Sequence, residues 1–250
     1  MNNGPNRHLL VSKRKLTTNQ GTRTMIDADL LKQARKYVFD YFYENTYGPV
    51  LEEAMREFHL DREKAGLLFN EMEASHYILL VPGTQRILMA NPFSAVATPF
   101  VDAIDGKRYF ANCAWDTVSL HVMVHRDADV SAFCHHCAEP IRMRLSRGKR
   151  VSGRPENPLI FLSVPVAKWY DNLINTCSNN MVYFSSEQHQ LEWLDSHPSL
   201  HGETLTVEKM AEACKPLSQT RMDLDYTRPT ACELTAYWNS IGLDGDYWKI

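Results

Sequence analysis

Apolar residues recur at three- and four-residue intervals downstream of Asp29. Leu30, Leu31, Ala34, Val38, Tyr41 and Phe42 carry the stripe of an amphipathic helix up to the break at Tyr47, Gly48 and Pro49. A second, short helix is predicted over Val50 to Phe58. Asp61 then offers an N-cap for a third, in which Ala65, Leu67, Leu68 and Met72 continue the stripe toward His76. The spacing next changes to that of strands. Tyr77–Val81 and Arg86–Ala90 flank a turn at Pro82, Gly83 and Thr84, which predicts a hairpin. Three helices followed by a hairpin are the plan of a winged-helix-like unit, assigned to residues 25–92.

From Phe100 the pattern belongs to a larger body, residues 93–250. Phe100–Ile104 and Lys107–Phe110 face each other across Asp105 and Gly106, a second hairpin, and lead into Asn112–Val124, apolar on nearly every face and therefore a helix buried inside the domain. Strands are predicted at Ala128–Phe133, Ile141–Leu145, Leu159–Val164 and Met181–Phe184, and helices at Ser186–Ser196, Val207–Cys214 and Arg228–Ser240. The stretch from Trp169 to Asn180 reads as an irregular polar bend entering a strand. Strands gathered in the middle with helices around them make the fold α+β: a winged-helix-like unit, then a mixed β-sheet domain with surrounding helices.

Charge narrows the set of partners. Lys and Arg number 27 against 30 Asp and Glu, a net charge of -3, so the whole chain has no electrostatic pull toward nucleic acid or anionic lipid. The predicted third helix carries Asp61, Glu63, Glu71 and Glu73 against Arg62 and Lys64, which would repel phosphates; the unit reads as a packing module, and nucleic acid is not an expected partner. Residues 1–24 hold five basic side chains (Arg7, Lys13, Arg14, Lys15 and Arg23) and no acidic one, and are expected to form a flexible basic tail. No apolar run approaches the roughly 20 residues that span a bilayer, and the start lacks the apolar middle of a secretory signal, so a cytoplasmic protein without a membrane partner is expected.

Six cysteines are too sparse and unevenly spaced for a disulfide scaffold, which leaves thiol chemistry or metal binding. Cys113 and Asp116 are three apart on the buried helix, so their side chains share a face with Cβ atoms about 5–6 Å apart. In the first turn, the helix dipole is expected to favour the Cys113 thiolate. A desolvated Asp116 has a raised pKa and can hold and return a proton near neutrality. The bland alternative is a core thiol beside a helix-start carboxylate. Cys134-His-His-Cys137 is a two-residue-spaced knuckle of the kind that binds structural zinc once further ligands join. His121 with His125, or Cys177, are the candidates to complete it, whereas His135 and His136 read as exposed turn residues. Cys177, in a polar segment beside a core strand, is a candidate reactive or ligating thiol. Cys214 and Cys232 read as packed helix residues, and Tyr237, Trp238, Tyr247 and Trp248 as C-terminal packing.

The segment Phe100–Thr117, with its Cys113-Ala-Trp-Asp116-Thr117 block, resembles the signature stretch of the organomercurial (alkylmercury) lyase family. Val130–Cys134 with Glu139, Pro140 and Ile141 is similar to that family's middle cysteine region, and Cys177–Phe184 with Ser186–Trp193 to its second active-site segment. The likeness covers residues 25–215, including the N-terminal helical unit. It implies that Cys113 and Cys177 are the two mercury-binding thiols, Asp116 the proton carrier and Cys134 a structural thiol. Counted back from Phe184 and Trp193, Ser178 occupies the place expected of the second thiol, with Cys177 one residue before it.

That resemblance implies a lyase that cleaves the carbon–mercury bond by protonolysis, giving a hydrocarbon and mercuric ion as a step of mercury detoxification. No organic cofactor is required. Its substrate would be an organomercurial, its helpers small thiols, and its partner protein mercuric reductase. The alternatives from other classes are a soft-metal-binding or metal-sensing winged-helix regulator, and a divergent member of the same fold without carbon–mercury cleavage.

Overall fold

The computed structural model describes residues 26–250; the basic tail expected over residues 1–24 lies outside them. The first helix, α1 (Ala28–Asn45), ends where Thr46 turns left-handed. Gly48 follows because a Cβ there would come within 2.6 Å of the Phe42 ring. After α2 (Leu51–Glu57), the Asp61 side chain accepts a 2.8 Å hydrogen bond from the Lys64 amide and starts α3 (Arg62–Ala74). The hairpin β1 (Leu79–Leu80) and β2 (Ile87–Ala90) gains a third strand, β3 (Phe93–Ser94), in an antiparallel sheet. Phe93 stacks on Phe42 of α1 at 5.2 Å, so one apolar interior runs from the helical unit into the larger body.

Five antiparallel strands make the central sheet, in the order β5-β4-β6-β7-β8: β4 (Val101–Ile104), β5 (Lys107–Phe110), β6 (Ala128–Phe133), β7 (Pro140–Ser146) and β8 (Lys149–Arg154). Asp105 and Gly106 close the first hairpin with φ of 50° and 78°, the positive pair that a tight hairpin turn demands. Burial alternates strictly along β6 and β7. Val130 and Met143 point inward, while Asp129 and Arg144 pair at 3.1 Å on the outer face. Between β5 and β6 runs α4 (Ala114–Val124), ten of whose residues are buried, as its unbroken apolar pattern predicts. It packs on β4, β6 and β7 on one side and on α7 (Val207–Ser218) on the other.

A third antiparallel sheet, β10-β9-β11, joins β9 (Leu159–Leu162), β10 (Met181–Phe184) and β11 (Glu203–Thr206). The helix α6 (Glu187–Asp195) follows β10, and α8 (Ala231–Ser240) is followed by a short 3-10 turn at Asp246–Trp248, with Trp238 fully buried and its indole N–H donating to the Ala213 carbonyl at 2.9 Å. The whole is α+β, and among the described residues no helix is long and apolar enough to cross a membrane.

Three features depart from the sequence-based reading. Residues 173–180 form a helix, α5 (Leu173–Asn180), because the Asn172 side chain caps it by accepting from the Asn175 amide at 3.1 Å. The strands β8 and β11 escape a search for apolar alternation, since β8 is almost wholly exposed and β11 buries only Leu205. Cys232 lies on the solvent side of α8, whose buried positions are Leu234 and Trp238, so it is exposed where packing was expected.

Candidate active site

Cys113 ends the extended segment after β5 and is the N-cap of α4, with φ -162° and ψ -178°. Asp116 stands one turn further on, and the Cys113 thiol donates to its Oδ2 at 3.3 Å. Cys177 comes from α5 across the cleft. The Asn91 amide ties the group together, donating to Asp116 Oδ2 at 3.1 Å and to Cys177 Sγ at 3.7 Å. The ligand atoms of Cys113, Asp116 and Cys177 all lie within 4.8 Å of one another, and all three residues are buried. Ser178, where the family spacing places the second thiol, is exposed. The α5 turn therefore turns Cys177, not Ser178, toward Cys113.

Burial sets the protonation of these groups. The Cys113 thiol is pushed well above its ordinary range by desolvation, by its hydrogen bond with Cys177 and by the nearby Asp116 charge. The expected helix-dipole preference for thiolate is thus overturned: removal from water, with a carboxylate alongside, outweighs the half-charge of the helix end. Asp116 behaves as the sequence suggests. Desolvation raises it to about 6, opposed by its hydrogen bonds with Cys113, Asn112 and Asn91 and by the Arg221 charge. Beneath it, Asp102 of β4 is wholly buried with neither carboxylate oxygen hydrogen-bonded, and desolvation together with the Asp116 charge holds it well above the carboxylate range.

The three side chains open on a cavity of about 50 Å³, walled by Trp115, Trp169, Leu173, Met181 and Arg221. Met181 presents its Sδ 3.6 Å from Cys113 Sγ, and Trp115 meets Trp169 edge-on at 5.0 Å. Tyr170, Leu173 and Asn91 also line an outer pocket of about 320 Å³ toward α3 and β1, so the segment around Tyr170 separates the thiols from the surface. Asn91, Met181 and Arg221 escape sequence reasoning. Met181 lies inside the Cys177–Phe184 stretch that resembles the family, but only as a strand residue; for Asn91 the one cue is the Asn-Pro pair that marks a loop, and for Arg221 there is none.

Cys134 and Cys137 do not join this group. They sit at the β6–β7 tip with His189 of α6, the three ligand atoms again within 4.8 Å of one another. Burial opposes the Cys134 thiolate, but hydrogen bonds from Ser185 and from the knuckle backbone outweigh it and bring the thiol down to about 7. The histidines expected to complete the knuckle are engaged elsewhere. His121 bonds the Arg126 carbonyl and accepts from the Gly148 amide at 2.9 Å, and His125 bonds the Gln219 carbonyl at 2.9 Å. Cys214 is fully buried in the core, its thiol pushed up to about 12 by desolvation.

Two thiols and a carboxyl converging in a buried cavity of an α+β fold are a donor set that suits a soft metal. Comparison with known proteins makes the class specific. Residues 93–219, half of the chain, match the family model of alkylmercury lyase, and the chain belongs to that family. It is similar to an alkylmercury lyase of Bacillus cereus, 30% identical over 117 residues that make up 47% of this chain and 52% of the relative. An alkylmercury lyase of Staphylococcus epidermidis is 26% identical over 142 residues, 56% of this chain and 62% of that one. The aligned region thus spans about half the length of the curated relatives it matches. The crystal structure of the mercury-bound form of MerB2 superposes with a TM-score of 0.63 at 20% identity, covering 79% of this chain and 93% of that one, which establishes the shared fold.

Proposed function

We propose that this chain cleaves carbon–mercury bonds by protonolysis, with Cys113 and Cys177 as mercury ligands and Asp116 as proton carrier. The observation that carries this reading is the meeting of the three side chains within 4.8 Å in one buried cavity, brought together from α4 and α5 across more than sixty residues. Thiolates suit mercury because both are soft. A buried thiol stays protonated until the metal arrives, and forming the sulfur–mercury bond then supplies the driving force to release the proton.

The chemistry balances without another reactant. An organomercurial R–Hg–X exchanges onto one thiol, whose proton leaves with X. As mercury reaches the second sulfur, the Cys113 proton passes along its 3.3 Å hydrogen bond to Asp116 Oδ2, which is largely ionised near neutrality. Two thiolates now push electron density through mercury onto carbon. Asp116 returns the proton there, the carbon–mercury bond breaks, and R–H departs while both sulfurs hold the mercuric ion. Asp116 ends as carboxylate, ready to recharge. No organic cofactor enters.

Small thiols then remove the mercuric ion, or it passes to a protein with its own cysteine pair, which the family resemblance suggests is mercuric reductase. A reducing cytoplasm is the matching setting, and all six cysteines are free. The test is to incubate the purified protein with phenylmercury and excess thiol and to follow benzene. Turnover is expected from the parent protein and not from Cys113→Ser; equal turnover by both sinks the mechanism. The regulator reading finds no comparable support, because the acidic third helix has no phosphate-binding face.

A further inference from the structure

We infer that Cys134, Cys137 and His189 form a second metal site, separate from the buried thiols, that holds a thiophilic divalent cation of the zinc type. His189 Nδ1 lies 3.6 Å from Cys134 Sγ and 3.5 Å from Cys137 Sγ. A tetrahedral zinc with sulfur at about 2.3 Å and nitrogen at about 2.0–2.1 Å separates those two ligand types by about 3.6 Å. Both nitrogen–sulfur distances therefore already stand at the spacing the ion imposes, and the same Nδ1 meets the Ser185 hydroxyl at 2.8 Å, a contact that metal binding would replace.

The surroundings are those of a built site. The knuckle is closed on itself by backbone hydrogen bonds, Ala138 N–H to the Cys134 carbonyl and Cys134 N–H to the Glu139 carbonyl, both 2.9 Å, with Ala138 held at φ 59°. His135 N–H pins the same turn to the Tyr183 carbonyl of β10 at 2.8 Å. Ser185 N–H points at Cys134 Sγ at 3.4 Å, the amide-to-sulfur contact that steadies a ligating thiolate. His189 enters from the first turn of α6, which Ser186 caps. Cys137 is exposed, so the three protein ligands leave a fourth position facing solvent, where water completes the tetrahedron.

The ion joins the tip of the five-stranded sheet to α6. It thereby braces the β10–α6 corner, which begins at Met181, four residues after Cys177. A cation here is a clamp on the strand that follows the second active-site thiol. Its binding does not depend on carbon–mercury cleavage, so the two readings stand or fall separately.

The experiment is metal analysis of the full chain purified without chelator, followed by cobalt(II) titration of the metal-free protein. Expected are about one zinc per chain and, with cobalt, the sulfur-to-metal charge-transfer band and intense visible bands of a tetrahedral thiolate site. Cys137→Ser and His189→Ala should each weaken cobalt binding by about 100-fold or more, with far-ultraviolet circular dichroism confirming that they fold. A Cys113→Ser, Cys177→Ser double variant should keep the band. The inference is overturned by cobalt binding that survives Cys137→Ser and His189→Ala, by its loss in the double variant alone, by no binding at micromolar metal, or by a Cys134–Cys137 disulfide in freshly reduced protein.

Discussion

The buried triad of Cys113, Asp116 and Cys177 and the surface triad of Cys134, Cys137 and His189 use nearly the same ligands to opposite ends. In the first, desolvation and a neighbouring carboxylate keep the Cys113 thiol protonated, and Asp116, raised to about 6, is poised between holding and giving up a proton. In the second, a backbone N–H points at sulfur and Cys137 reaches water. On the proposed readings, the same side chain is a reservoir of protons in one place and a standing ligand in the other. The difference teaches that a cysteine cluster is read by its protonation environment rather than by its spacing.

The largest expected effects fall on the buried triad. Replacing either sulfur, Cys113→Ser or Cys177→Ser, should lower benzene release from phenylmercury by about 10³-fold or more, because the two thiolates act as a unit. Ser178→Ala, on the exposed neighbour, should stay within about twofold. Equal losses at Cys177 and Ser178 would break the assignment of the second thiol. Asp116→Asn should still bind mercury but release hydrocarbon about 10²–10⁴-fold more slowly. In the parent protein, single-turnover rates should decline as pH falls through about 6, since a protonated Asp116 cannot receive the Cys113 proton.

Smaller effects sharpen the comparison through stability. The Asp116 pKa is raised on folding, so its favourable contribution is present below its unfolded value near 3.8 and is lost as pH rises through about 6. At pH 8 the buried carboxylate costs of order 2–3 kcal/mol. Asp116→Asn should therefore raise the melting temperature more at pH 8 than at pH 5; a gain independent of pH would mean that burial is not what shifts this group. Smallest of all, Asn91→Ala removes the amide that bonds both Asp116 and Cys177, and should slow turnover by about tenfold, corresponding to roughly 1–2 kcal/mol of lost hydrogen bonding. No change in rate would reduce Asn91 to a loop residue.

Much of this architecture is legible in local pattern. The three N-terminal helices, the hairpins and α4 announce themselves through apolar spacing because each buries one face, or in the case of α4 every face. The sheet edge β8 does not, since a strand that buries nothing leaves no apolar rhythm. Nor does α5, whose Leu-Ile-Asn-Thr-Cys-Ser-Asn-Asn run is a poor helix former and is stabilised by the Asn172 cap and by the packing of Thr176 and Cys177. Cys113 and Asp116 were found by their three-residue spacing. Cys177 was singled out by its polar setting beside a core strand and given its role by family resemblance, and His189, fifty-two residues beyond Cys137, was found by neither route.

By itself the sequence determined the α+β class, the buried helix that carries Cys113 and Asp116, and the supply of soft ligands, because periodicity and residue chemistry are local properties. Only the tertiary structure decided that Cys177 rather than Ser178 faces Cys113, that the thiol is held protonated, and that His189 rather than His121 meets the knuckle. Those outcomes depend on which distant surfaces pack together and on how much water the packing removes, and desolvation is a property of a site that no stretch of chain possesses alone.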